Sequence, residues 1–257
     1  RAAVSRQTHA AYALMARVRK AHPGLEIENC ASGGGRADYG ALRHTHRVWV
    51  SDCTDALERL SIQQGARRFL PPEVMGCHIS ASPNHQTHRK HTLAFRAIVA
   101  FFGHLGVELN PLQLSDVERE ELAMWIGLHK SLRYVLHSPS STIIDYPVVD
   151  GRHVFGVMAG SSKTREEHLI VAVAQSTQTL QEQPLPLTLP VYWPESHYTV
   201  KLLGPTPPPF VRSHPQQLAL LSGDTAIAGG LLQSLGLNIP QLYPESAILL
   251  EIKTVKE

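Results

Sequence analysis

Two short stretches constrain what this chain can fold into: Glu28-Asn29-Cys30-Ala31-Ser32-Gly33-Gly34-Gly35-Arg36 and Trp49-Val50-Ser51-Asp52-Cys53-Thr54-Asp55. Each follows a short apolar run, Leu25 to Ile27 and Arg47 to Val50, with the length and character of a buried strand. Each then passes into glycine-rich or capping residues of the kind that open a helix. The unit recurs downstream. Val74 to Ile79 reads as a third strand ending near His78 and Ser80, followed by a strongly apolar helix from about Thr87 to Phe102. Gly106 to Leu109 reads as a fourth, followed by the capping box Ser115-x-x-Glu118 and a long helix. The helical period puts Leu122, Trp125, Ile126, Leu132 and Tyr134 on that helix's buried face. A helix over Ser5 to Lys20, stopped by His22-Pro23-Gly24, precedes the series. Successive strand–helix units predict a parallel sheet with helices outside it. Periodicity alone leaves part of a closed barrel and an open sheet as equal solutions.

After Leu136 the texture changes. Ser138-Pro139-Ser140-Ser141 reads as a linker. Beyond it come β-rich runs without helices between them: His153 to Met158, Leu169 to Val173, Leu185 to Leu189, Tyr198 to Leu203 and Ala247 to Ile252. These predict a small antiparallel sandwich with a core of its own. The expected division is therefore 1–138 and 139–257.

Composition excludes several classes. Of 257 residues, 43% are hydrophobic, enough for a substantial core. A net charge of +2 without long basic runs makes no case for nucleic acid. No apolar stretch reaches the roughly 18 residues of a membrane span. Three cysteines, an odd number, argue against a disulfide scaffold and for a reducing compartment, so a cytoplasmic protein is expected. The chain opens at Arg1 and runs straight into a helix, which implies sequence upstream.

Chemistry collects at the C-terminal ends of strands in such folds. Asp52, at a strand end beside Trp49, is a candidate proton donor; its alternative is a helix cap. Asp55, three residues before Glu58, is explained by capping. The Ser32-Gly33-Gly34-Gly35-Arg36 loop offers backbone N–H groups to an anion or is simply a special turn, and it lacks the spacing of the glycine-rich nucleotide fingerprints. Cys30 has no legible histidine partner, which favours a buried or substrate-touching thiol over a nucleophile. His44, His46, His78, His85, His88 and His91 match no strict zinc signature.

The ordered series resembles the bacterial α-galactosidases of glycoside hydrolase family 36. It is carried by Glu28 to Arg36, Trp49 to Arg59 with Ile62-Gln63, Met75-Gly76-x-His78, Phe95-Arg96-Ala97, Phe102-Gly103-His104-Leu105-Gly106 and Trp125-Ile126-x-x-His129-Lys130. The resemblance implies the C-terminal half of a (β/α)8 TIM barrel over 1–138, then an antiparallel β-sandwich over 139–257. It implies retaining hydrolysis of terminal α-D-galactosyl residues from oligosaccharides such as melibiose and raffinose. In it Asp52 is the general acid/base, Cys30 and Gly33 touch galactose hydroxyls, and Trp49 walls the same subsite. No metal or organic cofactor, nucleic acid or membrane partner is expected, and a homo-oligomer of the full-length protein stays open. The family's nucleophile lies in a Lys-x-Asp motif, which these 257 residues do not contain. This chain alone is therefore expected to be inactive. A galactosyl transferase of the raffinose-synthase kind and a non-catalytic galactose-binding remnant are the alternatives.

Overall fold

The computed structural model describes residues 2–178, 185–205 and 207–255. Helix α1 (Ala2–Ala21) leads into β1 (Glu28–Asn29), α2 (Tyr39–Leu42), β2 (Arg47–Val48) and α3 (Ala56–Ala66). Then follow β3 (Gly76–Ser80), α4 (Leu93–Ala100), β4 (His104–Glu108) and α5 (Asp116–Leu136). β1 pairs parallel with β2, and β3 with β4. A parallel bridge between Val48 and Met75 joins the two pairs, so the four strands lie side by side in chain order. Four consecutive strand–helix units thus form as the sequence predicts.

Local chemistry explains where the helices begin. Asp38 caps α2 by accepting from Ala41 N at 2.8 Å, and its other tie, from the Tyr12 hydroxyl at 2.8 Å, pins α1. Ser115 and Glu118 form the reciprocal box that opens α5. The first strand starts three residues later than expected. Residues 25–27 run beside His46, whose ring accepts from Ile27 N at 3.0 Å, and ladder pairing begins only at Glu28. Helix α4 also starts late, at Leu93 under a Thr92 cap, because Asn84 takes the preceding backbone into a turn by accepting from Gln86 N and Thr87 N. Apart from Ala94, every residue of α4 is buried. It packs against α3, α5 and β3 on one side and the later sheet on another.

That sheet has six strands, β5 (Thr142–Asp145), β6 (Arg152–Ser161), β7 (Glu166–Gln175), β8 (His197–Leu203), β10 (Ser222–Ala228) and β12 (Ser246–Thr254). It is antiparallel throughout, in the order β10-β8-β12-β7-β6-β5. β9 (Phe210–Arg212) and β11 (Gln241–Leu242) form a separate two-stranded ribbon, and two short helices, α6 (Pro215–Leu220) and α7 (Gly229–Ser234), complete the region. The expected sandwich is therefore uneven. Leu185 to Leu189 makes no strand; with Val191 it crosses the outer face of the large sheet, tied by Leu187 to Leu237 and by Leu189 N to Leu232 O. Leu187, Leu189, Val191, Leu232 and Ile239 close that face with apolar side chains instead of a ladder.

The inner face is shared. Phe155, Val157, Ile170, Ala172, Ala247 and Leu249 join one continuous core with Phe101, Phe102, Trp125 and Leu136 of the strand–helix half. The β-rich region thus owns one core layer and borrows the other. Tyr134, expected inside, is 68% exposed, and its hydroxyl meets His168 Nδ1 at 3.1 Å across the same seam. No helix among the described residues is long and apolar enough to cross a membrane.

This core contains a titratable group with a measurable consequence. His129 is buried, its Nε2 3.3 Å from Gly103 O, which His137 also approaches at 3.1 Å. Burial pushes His129 down to about 4, and the charges of His137, Arg133 and His104 add to this against the Gly103 contact. The unfolded chain takes up a proton near pH 6.5 that the folded chain refuses until about pH 4. Stability is therefore lost as pH falls through that window, by about 2 kcal/mol at pH 5 relative to pH 7. Urea unfolding at the two pH values should show this loss, and His129→Gln should remove most of it. An equal loss in both proteins would assign it elsewhere.

Candidate active site

The two motif loops meet at the C-terminal ends of β1 and β2. Gly33 is the hinge of their contact. Its φ is +69°, and a Cβ there would lie 2.9 Å from both Asp52 N and Ser51 Cα. Any side chain at Gly33 would strain the loop and push on the peptide that carries Asp52. The glycine run also closes on itself: Ala31 N donates to Gly33 O at 3.2 Å, Gly35 N to Ala31 O at 3.1 Å, and Asn29 Nδ2 to Arg36 O at 2.5 Å. Of the N–H groups between Ser32 and Arg36, that of Gly35 is thereby used internally.

Asp52 is exposed, and its Oδ1 lies 3.9 Å from the Cys30 Sγ, within reach of a thiol donor. Its neighbours are anchored. Ser51 O accepts from Arg59 Nη2 at 2.6 Å, Thr54 N donates to Gln86 Oε1 at 3.1 Å, and Thr54 O accepts from the Ser80 hydroxyl at 2.7 Å. Asn84 Nδ2 donates to the Thr54 hydroxyl at 2.9 Å. An exposed carboxyl, touched only by the Cys30 thiol among the described side chains, thus projects from a clamped backbone.

Asp55 has the opposite environment. It is fully buried, caps α3 through Leu57 N at 2.9 Å and Glu58 N at 3.3 Å, accepts from the Thr87 hydroxyl, and lies 3.3 Å from Arg89 Nη1. Glu58 does not return to the Asp55 backbone as a full capping box would; it pairs with Arg89 at 2.7 Å. Asp55 is therefore a structural carboxylate, and Asp52 the one that a ligand can reach.

Trp49 is 8% exposed. Its ring stacks on His78 with centroids 4.2 Å apart, and the Arg59 guanidinium carbon lies 4.0 Å from its centroid. His78 in turn meets Glu108 at 3.0 Å, at the end of β4. Cys30, Gly33 and Asp52 are thus brought together, while Trp49 is buried between His78 and Arg59 and is tied to Asp52 only through Arg59 and the Ser51 carbonyl. Arg59 closes the Trp49 to Arg59 stretch that carries the resemblance, but nothing in the sequence assigned it a role, since a helical arginine is ordinarily a solvated one. Among the described residues no three His, Cys, Asp or Glu side chains form a metal-binding group.

This arrangement of elements superposes on solved α-galactosidases. The galactosidase domain of the α-galactosidase–sucrose kinase AgaSK superposes with a TM-score of 0.78 at 27% identity, over 95% of this chain and 31% of that one. A variant of the family 36 α-galactosidase AgaA from Geobacillus stearothermophilus, solved in complex with stachyose, gives 0.74 at 25% identity over the same shares. In sequence, an α-galactosidase from Escherichia coli is 35% identical over 266 aligned residues, covering 98% of this chain and 36% of the relative. The family model described as Melibiase matches residues 1–138, and this chain belongs to that family. It spans about a third of the length of these three relatives.

Proposed function

We propose that this chain carries the acid/base half of a retaining α-galactosidase, with 1–138 as the C-terminal part of a (β/α)8 barrel and 139–257 as its β domain. The observation that carries this reading is the contrast of the two aspartates: Asp52 exposed on an anchored loop 3.9 Å from Cys30, Asp55 buried in a cap. In a retaining enzyme one carboxylate attacks the anomeric carbon while a second carboxylic acid, about 5–5.5 Å away, protonates the leaving oxygen. Asp52 gives its proton to the glycosidic oxygen as the bond to the anomeric carbon breaks. It then takes a proton from the water that opens the galactosyl–enzyme ester, so retention follows from two inversions. The nucleophile comes from outside these residues. Cys30, Gly33 and Trp49 shape the galactose subsite, and the substrates are α-galactosides such as melibiose and raffinose. Three unpaired thiols, Cys30, Cys53 and Cys77, suit a reducing cytoplasm.

The full-length protein should hydrolyse melibiose and release galactose first as the α-anomer, seen by proton NMR before mutarotation. The 257-residue chain alone should give no turnover. Release of β-galactose, or turnover by the isolated chain, would refute the division of labour.

A further inference from the structure

Arg59 is anomalous for a residue on α3. It is 3% exposed, and its Nη1 has no hydrogen-bond partner among the described residues. A buried guanidinium with an unused donor is unfavourable unless its placement serves something else. Burial lowers it from its ordinary value, opposed by the nearby carboxylates of Glu108 and Asp52. Its two defined contacts are both with the second motif. Nη2 donates to Ser51 O at 2.6 Å, and the guanidinium carbon lies 4.0 Å from the Trp49 ring centroid.

These contacts bracket the residue of interest. Ser51 O belongs to the peptide whose nitrogen is Asp52 N, the atom that Gly33 approaches closely enough to exclude a side chain. Gly33 packs against one end of that peptide and Arg59 holds the other. The same guanidinium also sits over Trp49. A planar cation that stacks and donates at once can couple a ring and a carbonyl in a way that an ammonium cannot.

We propose that Arg59 is the positioning residue of the proton donor: it locks the Ser51–Asp52 peptide to the Trp49 ring so that subsite and acid move as one body. The inference rests on Asp52 being the acid/base. Arg59 itself touches neither sugar nor leaving oxygen. Its effect is to hold the Asp52 carboxyl in line with the glycosidic oxygen, where a displacement of about 1 Å lowers a rate roughly 100-fold.

The test is leaving-group dependence in the full-length protein. Arg59→Met should lower kcat/KM for melibiose about 100-fold. A nitrophenyl α-galactoside, which needs little protonation, should lose less than about tenfold. Arg59→Lys keeps the charge without the planar fork and should widen the same ratio by a smaller factor. Tryptophan emission should shift in both, reporting release of the Trp49 ring. A merely structural role would slow both substrates equally, and that result overturns the proposal. If Arg59→Met does not fold, a wild-type ratio in Arg59→Lys overturns it as well. Loss of selectivity in Asp52→Ala itself would remove the basis of both assignments. A selective Asp52→Ala beside an unselective Arg59 variant would overturn Arg59 alone.

Discussion

In the full-length protein, Asp52→Ala is expected to lower melibiose hydrolysis by about 10²–10⁴-fold while leaving the first step on a nitrophenyl α-galactoside nearly intact. A sugar alkoxide is a poor leaving group and must be protonated as it departs; a nitrophenolate departs without help. The second step needs a base whatever the substrate was, so the activated substrate should give a burst and then stall as a galactosyl–enzyme ester. Azide attacks that ester without a base. It should restore turnover and yield galactosyl azide of retained configuration. Equal slowing of both substrates with no response to azide would withdraw Asp52 from the acid/base role.

Asp55→Ala should act on stability instead. Its carboxylate satisfies two of the N–H groups at the start of α3, a loss worth about 0.5–2 kcal/mol. It also accepts from Thr87 and faces Arg89 from a fully buried position, and hydrogen bonds to a charged group add about 1.5–3 kcal/mol. A total near 3 kcal/mol is expected, because Arg89 is 37% exposed on its side chain and regains water when its partner is removed. Asp55→Asn keeps the cap and should lose about half. Burial pushes Asp55 up, but the Thr87 hydroxyl and the Glu58 and Leu57 amides outweigh it and hold the carboxyl below its ordinary range. Its stabilisation is therefore present above the ordinary carboxylate value near 4 and fades only below it, as pH falls through the lowered native value. The loss between pH 6.5 and 4 comes from the histidines, His129 first, with His104 and His153 shifted in the same direction by burial. Urea midpoints of the two Asp55 variants at pH 7 check the first claim, and a loss below 1 kcal/mol in Asp55→Ala would reject it.

What the sequence determined by itself is what depends on near neighbours. The Ser115–Glu118 box and the Asp55 cap formed where expected, since a cap needs only the next three residues. The strand–helix order, the change of texture after Leu136 and the approach of the Cys30–Gly33 loop to Asp52 were legible for a related reason. A strand end and the helix after it are one local unit, and parallel neighbours bring successive units together.

Tertiary structure alone decided matters that need distant partners. Spacing to Glu58 assigns Asp55 to a cap but leaves Asp52 open between cap and proton donor; in the structure Thr87 and Arg89, some thirty residues on, close over Asp55, while Asp52 stays exposed. The β-rich region looked self-contained because alternation reports that a face is buried and not what covers it. Here α4 and α5 cover one face and an extended segment the other. Arg59 reads as an ordinary helical arginine until the turn after β2 brings Ser51 O to its guanidinium. Burial and long-range contact are properties of the closed chain, and no window of sequence contains them.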